Sequence, residues 1–337
     1  MKNILVTGGA GFIGSNFIHY MLDAHPDYTI INLDALTYAG NLSNLKSVEN
    51  NPHYHFIKGN ISNFEMVEHI LTAFAIDAIV NFAAESHVDR SIMGPEIFIE
   101  TNVKGTVTML EAARKFPVDR FLQVSTDEVY GSLGSSGKFT EQTHLAPNSP
   151  YSASKASADM IARSYFKTFR MPVLITRCSN NYGPFQFPEK LIPLMIKNAL
   201  EDKPLPVYGE GKNVRDWIHV KDHAKAIDAV LHRGTPGEIY NVGSDNEWEN
   251  IAIVKEILSI LNKPEALIKF VKDRPGHDFR YAIDSSKMHN QLGWSAEYNF
   301  HDGLRDTIDW YLSNQEWVSE CTSGAYTHYY DNMYKNR

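Results

Sequence analysis

Short apolar segments alternate with longer segments of helical periodicity through the first 180 residues of the chain. The apolar segments are five to seven residues long and lie at 4–8, 29–34, 55–59, 78–84, 121–126 and 173–177. The helical segments lie near 12–24, 63–75, 95–115 and 151–169. Because short buried strands that alternate with helices are typical of a parallel sheet covered on both faces, the pattern predicts an α/β fold with a doubly wound parallel sheet.

This alternation ends near residue 180, where loops rich in Pro, Gly and Asn begin to separate shorter helices and strands. A helix near 221–232 and a strand at 238–242 are expected to return to the parallel sheet. We therefore predict two units, a parallel-sheet domain and a smaller mixed α/β lobe that binds the substrate. The predicted domain covers 1–180 and about 214–243, and the predicted lobe covers 181–213 and 244–337.

The composition narrows the classes of function. The chain has 337 residues, and its apolar segments are too short to span a bilayer. Its net charge of −8 argues against a nucleic-acid partner, because a surface that follows phosphates is basic. Two cysteines make no disulfide framework, which favours a reducing cytoplasm. Only His53 and His55 lie close together among the histidines, without Cys or carboxylate partners at ligand spacing, so no metal site is predicted.

The segment GGAGFIG (8–14) follows the first predicted strand and opens the first predicted helix. Gly8, Gly11 and Gly14 have the spacing of a dinucleotide-binding turn, in which glycines let a pyrophosphate approach the helix N-terminus. Asp34 ends the second predicted strand, where a carboxylate binds a ribose 2′-hydroxyl and repels a 2′-phosphate. The sequence therefore predicts a Rossmann-type domain that binds NAD rather than NADP.

The segment YSASK (151–155) places Tyr151 and Lys155 four residues apart, on one face of a predicted helix. A phenol has an ordinary pKa of about 10 and is a poor base near neutral pH. A nearby ammonium and a positive nicotinamide ring are expected to lower that pKa. Thr126, at the end of the fifth predicted strand, supplies a second hydroxyl for a substrate alcohol. This order of motifs indicates oxidation of an alcohol by NAD.

The segment VSTDEVYG (124–131) places Asp127 and Glu128 directly after a buried strand. An acidic pair at such a position is most often part of a solvated loop, and these two residues alone leave that interpretation open.

Together these motifs resemble those of the extended short-chain dehydrogenase/reductases and, within that family, of the nucleotide-sugar 4,6-dehydratases. The resemblance runs from residue 1 to about 315 and includes NFAAESHVDRSI (81–92), TNVKGT (101–106), RCSNNYGP (177–184), PLPVYGEGKNVRDWIHV (204–220) and DRPGHDFRYAID (273–284). Relatives that only epimerise lack the acidic pair, so the resemblance implies dehydration of a nucleotide-diphospho-sugar.

The resemblance also implies a role for each catalytic residue. Tyr151, assisted by Thr126 and Lys155, takes the proton of the sugar C4 hydroxyl while hydride passes to NAD. Glu128 is the base that removes the C5 proton, and Asp127 is the acid that protonates the departing C6 hydroxyl. NADH then returns its hydride to C6. Like charges at close range push two pKa values apart, which allows one carboxyl to be protonated beside an ionised one.

The motifs and the resemblance together imply two sets of binding residues. The predicted cofactor-binding residues are Gly8, Gly11, Phe12, Ile13, Gly14, Asp34, Thr37, Asn60, Ile61, Ala83, Ala84, Thr101, Tyr151, Lys155 and Asn181. The predicted substrate-binding residues are Ser86, Thr126, Asn180, Lys190, Leu191, Tyr208, Arg215, Asn250, Arg274 and His277. Lys190, Arg215 and Arg274 could form a diphosphate clamp, although a single arginine is more often a solvated surface charge. Tyr208 could stack on a pyrimidine or belong to the core.

Two positions depart from the family pattern. Asn60 stands where an aspartate commonly contacts the adenine, and Phe279 replaces a usual arginine, which leaves Arg280 in that loop. The resemblance further implies a homodimer formed through the helices near 95–115 and 151–169.

Two other functions stay open at this point. One is an NAD-dependent epimerase or decarboxylase of the same fold, and the other is a dinucleotide-sensing regulator without chemistry. The acidic pair argues against the first and the full catalytic set against the second. The choice between thymine and uracil is not decided by these residues.

Overall fold

The structure is a computed structural model that describes residues 1–322, so the predicted lobe beyond residue 322 lies outside the described residues. The strands are β1 Asn3–Thr7, β2 Thr29–Asp34, β3 Tyr54–Lys58, β4 Ala78–Asn81, β5 Arg120–Thr126, β6 Val173–Cys178, β7 Asn180–Tyr182, β8 Leu205–Tyr208, β9 Val214–His219, β10 Ile239–Val242, β11 Glu247–Glu249 and β12 Ile268–Val271. Within residues 1–322, no helix combines the length and the apolar character needed to cross a bilayer.

The helices are α1 Phe12–Ala24, α2 Phe64–Ala73, α3 Val88–Met93, α4 Glu96–Phe98, α5 Thr106–Lys115, α6 Pro150–Phe169, α7 Leu191–Leu200, α8 Val220–Arg233, α9 Asn250–Ile260, α10 Ser286–Leu292, α11 Phe300–Ser313 and α12 Gln315–Cys321. A π-helical segment, Ile99–Gly105, joins α4 to α5, so the helix predicted near 95–115 is one irregular helix. Short 3-10 turns occupy Leu42–Val48, Asp127–Tyr130 and Glu265–Leu267.

Seven strands form a parallel sheet in the order β10-β6-β5-β4-β1-β2-β3. Successive side chains of a strand point to opposite faces of the sheet, and each face packs against its own apolar cluster. In β1, Ile4 and Val6 join the cluster under α1 and α8, whereas Leu5 joins the cluster under α2 and α5. The prediction of a doubly wound, Rossmann-type parallel sheet is therefore confirmed.

The carboxyl ends of the parallel strands set the position of the site. The strand order reverses direction between β1 and β4, and in sheets of this type a ligand binds outside the strand ends at that point. The glycine segment follows β1, Asp34 ends β2, and Thr126 ends β5. These groups therefore meet at one edge of the sheet.

A smaller unit packs beside this edge. It contains the three-stranded sheet β11-β9-β7 and the two-stranded sheet β12-β8, with α7, α9, α11 and α12 around a second apolar cluster. The structure differs from the predicted boundaries in two places. The segment 214–219 pairs with β7 and β11 instead of the parallel sheet, although α8 and β10 after it do return there. Met288, Leu292 and Trp294, which were predicted to belong to the lobe, pack under the parallel sheet, because α10 lies against α8 and β10.

Candidate active site

The turn between β1 and α1 excludes side chains. Gly8 has φ +68°, and a Cβ there would lie 2.8 Å from the backbone of Ala83. A Cβ on Gly14 would lie 2.4 Å from the carbonyl oxygen of Gly8. A turn with no side chains beside a helix N-terminus is what a pyrophosphate requires, so these residues fit a dinucleotide cofactor.

Asp34 is tied to this turn. One carboxylate oxygen accepts a hydrogen bond from the Ala10 backbone N–H at 2.8 Å, and the other accepts one from Leu36 N–H at 2.8 Å. Burial raises the pKa of Asp34, and the two N–H groups oppose that rise. Each oxygen keeps a second lone pair for a ribose hydroxyl. Asp34 therefore positions the glycine turn and is still able to accept a bond from a ligand.

A cavity of about 300 Å³ runs from the glycine turn to the acidic pair. Every predicted cofactor-binding residue lines it: Gly8, Gly11, Phe12, Ile13, Gly14, Asp34, Thr37, Asn60, Ile61, Ala83, Ala84, Thr101, Tyr151, Lys155 and Asn181. Thr126, Asp127, Glu128, Ser86, Asn180 and Lys190 line the same cavity. The structure thus brings together residues that are up to about 180 positions apart in sequence.

Asp127 is a buried carboxyl group at the start of a 3-10 turn. Thr126 caps that turn, since its hydroxyl accepts the N–H of Glu128 at 3.2 Å and donates to Asp127 Oδ1 at 3.3 Å. Asp127 is only 1% exposed, and Oδ2 has no hydrogen-bond partner within residues 1–322. Burial, and next the charge of Glu128, raise the pKa of Asp127 well above its ordinary value. The Asp127 carboxyl is therefore suited to the role of a general acid, which holds a proton and donates it to a leaving group. The solvated-loop interpretation does not describe this geometry.

Glu128 lies in a different electrostatic environment. Burial raises its pKa, but the cations Arg274, Lys190 and Arg215 oppose the rise. At Asp127, the charges of Glu128 and Asp216 add to the rise in pKa that burial causes, and Arg215 is the cation that lowers it. The first proton of the pair is therefore expected on Asp127, which leaves Glu128 as the group that is ready to accept one.

Tyr151 and Lys155 lie in the first two turns of α6. Ser149 and Ser152 form a capping box at the helix start, and Pro150 is the first helical residue, so the sequence fixes where α6 begins. Burial raises the pKa of Tyr151 well above its ordinary value, Glu128 adds to the rise, and a hydrogen bond with Thr126 opposes it. The expectation that a neighbouring ammonium lowers this pKa is not met by the chain's own groups, because Lys155 donates to the Val124 carbonyl at 2.7 Å.

The predicted substrate-binding residues fall into two groups. Ser86, Thr126, Asn180 and Lys190 line the cavity, and Lys190 Nζ donates to the Ser86 carbonyl at 2.9 Å. Leu191, Tyr208, Arg215, Asn250, Arg274 and His277 do not line it and belong to the smaller unit beside it. Among these, the ring of Tyr208 meets the ring of His277 edge to face at 6.1 Å. Leu191 packs against the apolar cluster of the smaller unit, and Asn250 begins α9.

Neither arginine of the predicted clamp is a freely solvated charge. Arg215 is 5% exposed, lies over the ring of Tyr281 at 4.3 Å and donates to the Asp278 carbonyl at 2.9 Å. Arg274 Nη1 lies 3.8 Å from Asp89 Oδ2. Both cations lower the pKa of Glu128, so their positive charges act on that carboxylate.

Several residues of the site were not found from the sequence. The cavity is also lined by Leu33, Ala35, Ala39, Gly40, Gly59, Phe82, Glu85, Val124, Ser125, Cys178, Ser179, Gln186, Phe187 and Glu189. Glu189 is buried and pairs with Arg90 at 3.1 Å, and its place beside Lys190 in the sequence was the available signal. His223 lies behind the cavity, with Nδ1 2.8 Å from Asn181 Oδ1, and no sequence pattern indicated it.

The two departures from the family pattern have different settings. Asn60 lines the cavity, and its side-chain oxygen accepts the N–H of Ser62 at 2.8 Å. Phe279 is half exposed, and Arg280 next to it pairs with Glu247 at 2.7 Å. The first departure therefore touches the site directly.

Known proteins are similar to this chain over nearly its whole length. The family model described as GDP-mannose 4,6 dehydratase matches residues 5–307. A dTDP-glucose 4,6-dehydratase of Xanthomonas campestris pv. campestris (strain B100) is 53% identical over 344 residues, which cover 97% of both chains.

Two solved structures have a similar fold over nearly the whole chain. The dTDP-glucose 4,6-dehydratase of Bacillus anthracis str. Ames, in complex with NAD, has a TM-score of 0.90 and 56% identity, covering 95% of this chain and 100% of that chain. The dTDP-glucose 4,6-dehydratase of Streptomyces venezuelae, also with NAD bound, has a TM-score of 0.92 and 48% identity, covering 95% and 99%.

Proposed function

The chain belongs to the family described as GDP-mannose 4,6 dehydratase, and we propose that it is a hydro-lyase that converts dTDP-glucose to dTDP-4-keto-6-deoxy-glucose and water. The resemblance to nucleotide-sugar 4,6-dehydratases is confirmed by these relatives. The observation that carries the proposal is the acidic pair, the buried Asp127 and the partly buried Glu128, in one cavity with Tyr151.

NAD is the cofactor that this activity requires, and when bound it would accept a hydride from C4 of the sugar and later return it to C6. The glycine turn and Asp34 would hold it, with Tyr151 and Lys155 at the other end of the cavity. A carboxylate at Asp34 favours a ribose with a free 2′-hydroxyl and disfavours NADP.

The chain's own residues handle the protons. Burial in the chain alone disfavours the phenolate of Tyr151, and the positive nicotinamide ring of bound NAD would favour it, so that Tyr151 accepts the proton of the C4 hydroxyl. The resulting ketone at C4 acidifies the neighbouring C5 hydrogen. Glu128 removes the C5 proton, and Asp127 donates its proton to the C6 oxygen, so that the C6–O bond breaks and water leaves. Glu128 then returns a proton to C5. Burial favours the protonated form of Asp127 for this step, because it raises the pKa of that carboxyl.

We propose that the parallel-sheet domain holds NAD and that the smaller unit binds the nucleotide diphosphate. Arg274, Lys190 and Arg215 all act on one carboxylate, so an otherwise acidic protein concentrates positive charge beside the site. A diphosphate would bind there through charge-assisted hydrogen bonds. The thymine base is taken from the relatives' substrates, since the residues themselves do not distinguish it from uracil.

We further propose a homodimer in the cytoplasm. Large apolar side chains are exposed along the segment from α3 to α6, namely Ile92, Met93, Ile97, Ile99, Met160 and Phe169. A second copy of the chain would cover this face through helices of the kind implied for the family. Met160→Glu should then give a monomer in sedimentation, whereas Phe270→Glu, at an equally exposed apolar residue of β12, should not. The two free thiols, Cys178 and Cys321, are compatible with a reducing compartment.

Turnover of dTDP-glucose in D₂O tests the activity. Because the Glu128 carboxyl exchanges with solvent, deuterium should appear at C5 of a product that has lost the C6 hydroxyl. An epimerase would keep the C6 oxygen and take up no deuterium at C5, and a regulator would convert nothing. A product of the epimerase kind from an active preparation would overturn the proposal.

The matched variants separate the elimination from the oxidation. Asp127→Asn and Glu128→Gln should stop water loss while C4 oxidation survives in part, seen as NADH absorbance in a single turnover. Asp119→Asn changes an exposed carboxylate directly before β5, the strand that leads into the acidic pair, and this variant should behave like the unmodified protein.

A further inference from the structure

Three metal-ligand side chains meet where the end of α1 packs against α8. His25 follows α1 directly, and Asp228 and His232 lie one turn apart on α8. Asp228 Oδ1 lies 3.0 Å from His25 Nε2 and 2.8 Å from His232 Nδ1. All three donor atoms lie within 4.8 Å of one another. His25 and Asp228 are 203 positions apart in the sequence, so no local spacing indicates this group.

Two further polar atoms of this group, Asp228 Oδ2 and His232 Nε2, are held by tyrosines. The Tyr28 hydroxyl lies 3.0 Å from His232 Nε2, and the Tyr20 hydroxyl donates to Asp228 Oδ2 at 3.1 Å. The ring of His25 stacks on Tyr28 at 4.7 Å and on His232 at 4.8 Å, and the rings of Tyr28 and His232 lie 5.7 Å apart, so the three rings form one cluster. Outer partners of this kind fix the tautomer and the orientation of histidines that bind a metal. With Nε2 held by Tyr28, Nδ1 of His232 faces the carboxylate at 2.8 Å and the backbone carbonyl of Asp228 at 3.0 Å, and an ion would replace the bond to that carbonyl.

The geometry suits a small divalent ion. Ligand atoms about 2.0–2.1 Å from a tetrahedral ion are about 3.3 Å apart, so the two pairs that include Asp228 need to open by only about half an ångström. The side chains of His25, Asp228 and His232 are 25%, 14% and 23% exposed, which gives an ion and a bound water access from solvent. Two imidazoles and one carboxylate are donors that zinc accepts, whereas Mg²⁺ and Ca²⁺ prefer a shell of oxygen atoms.

We propose that His25, Asp228 and His232 form a binding site for a divalent cation of the zinc class, with a water as fourth ligand. The ion links the C-terminal end of α1 to α8. The glycine turn lies at the opposite end of α1, so the site is separate from the catalytic cavity and does not depend on the proposed dehydration.

Calorimetric titration of tag-free, metal-stripped protein with Zn²⁺ tests the site. A single equivalent should bind and raise the thermal midpoint, Co²⁺ should give the visible spectrum of a tetrahedral ion, and Mg²⁺ and Ca²⁺ should do neither. His25→Gln and His232→Gln should abolish binding. Tyr28→Phe leaves all three ligands in place and should weaken binding by about 10–100-fold. His301→Gln, at an exposed histidine that also pairs with a carboxylate, is the matched control.

Two results would overturn the proposal. One is the absence of saturable Zn²⁺ binding to the unmodified chain. The other is binding that His25→Gln and His232→Gln leave unchanged, which would place the ion elsewhere. If either variant fails to fold, Tyr28→Phe still decides, because equal affinity in that variant contradicts the arrangement described above.

Discussion

The ammonium group of Lys155 donates a hydrogen bond to the backbone carbonyl of Val124, with the two atoms 2.7 Å apart. Lys155 lies one turn after Tyr151 in α6, and Val124 lies two residues before Thr126 in β5. The bond therefore ties the helix that carries the phenol to the strand that leads into the acidic pair. Lys155 is buried, and burial lowers its pKa while Asp159 opposes that change. Its structural role is thus to hold the two halves of the catalytic set together.

Tyr151→Phe removes only the hydroxyl that accepts the C4 proton. Turnover should fall by about 10²–10⁴-fold, the usual cost of losing a positioned acid–base group. NAD affinity and the thermal midpoint should change little, because the ring stays in place. Tyr165→Phe, which removes a hydroxyl on the outer part of the same helix, should turn over normally. Normal turnover by a folded Tyr151→Phe protein would exclude Tyr151 from the reaction.

Asp34→Ala should change both cofactor preference and stability. Loss of the carboxylate removes the repulsion of a 2′-phosphate, so the ratio of NADP to NAD affinity should rise in a binding titration. The N–H groups of Ala10 and Leu36 also lose their acceptor, at a cost of about 1–3 kcal/mol for each group left buried and unpaired. Asp34→Asn keeps an acceptor oxygen and should lose less stability. Tighter binding of NADP than of NAD by the unmodified protein would contradict the role of Asp34.

The sequence predicted those parts of the site that depend on local backbone chemistry. Gly8 and Gly14 are recognisable because a Cβ at either position collides with the backbone, and Asp34 because it ends a strand. The burial of Asp127 was not evident from its neighbours in sequence. It depends on the smaller unit packing over the sheet edge, and only the family resemblance indicated it.

The rest depends on contacts between distant segments. Trp294 is expected to be buried in any fold, but the surrounding sequence does not indicate which of the two apolar clusters it joins. His223 supports Asn181 across 42 positions of sequence, and it lies on a helix whose pattern is that of any amphipathic helix. Residues of this kind become visible only once the topology is known.

Arg274→Ala should weaken substrate binding and shift the pH profile of kcat/KM. Loss of a charge-assisted hydrogen bond to a diphosphate costs about 1.5–3 kcal/mol, which corresponds to about one to two decades in KM. Arg274 also lowers the pKa of Glu128, so its removal should raise that pKa. Because Glu128 must be ionised to act as the base, the acid limb of the kcat/KM profile should move to higher pH. Arg305→Ala, at an exposed arginine of α11, should change neither quantity. An unshifted profile would remove Arg274 from the surroundings of Glu128.

His223 makes the stability of the fold sensitive to acid. It is fully buried, Nδ1 lies 2.8 Å from Asn181 Oδ1, and burial lowers its pKa to about 3. The unfolded chain has a histidine pKa of about 6.5, so between these values it binds a proton that the folded chain does not. Stability should therefore fall as the pH drops below about 6.5, by about 1.4 kcal/mol per pH unit from this residue. Asp216, whose pKa is raised to about 6, acts in the opposite direction below pH 6.

A comparison of variants isolates the contribution of His223. Gln at this position can still donate to Asn181 but does not titrate, so His223→Gln should lose less stability in acid. Between about pH 7.5 and about pH 5, the unmodified protein should lose about 2 kcal/mol more than the variant in urea unfolding. The other titrating groups, Asp216 included, are common to both proteins and cancel in this difference. His69→Gln, at an exposed histidine, should follow the unmodified protein. Equal losses in the unmodified protein and His223→Gln would mean that His223 binds its proton over the same pH range in the folded and the unfolded chain, which would contradict a pKa lowered by burial.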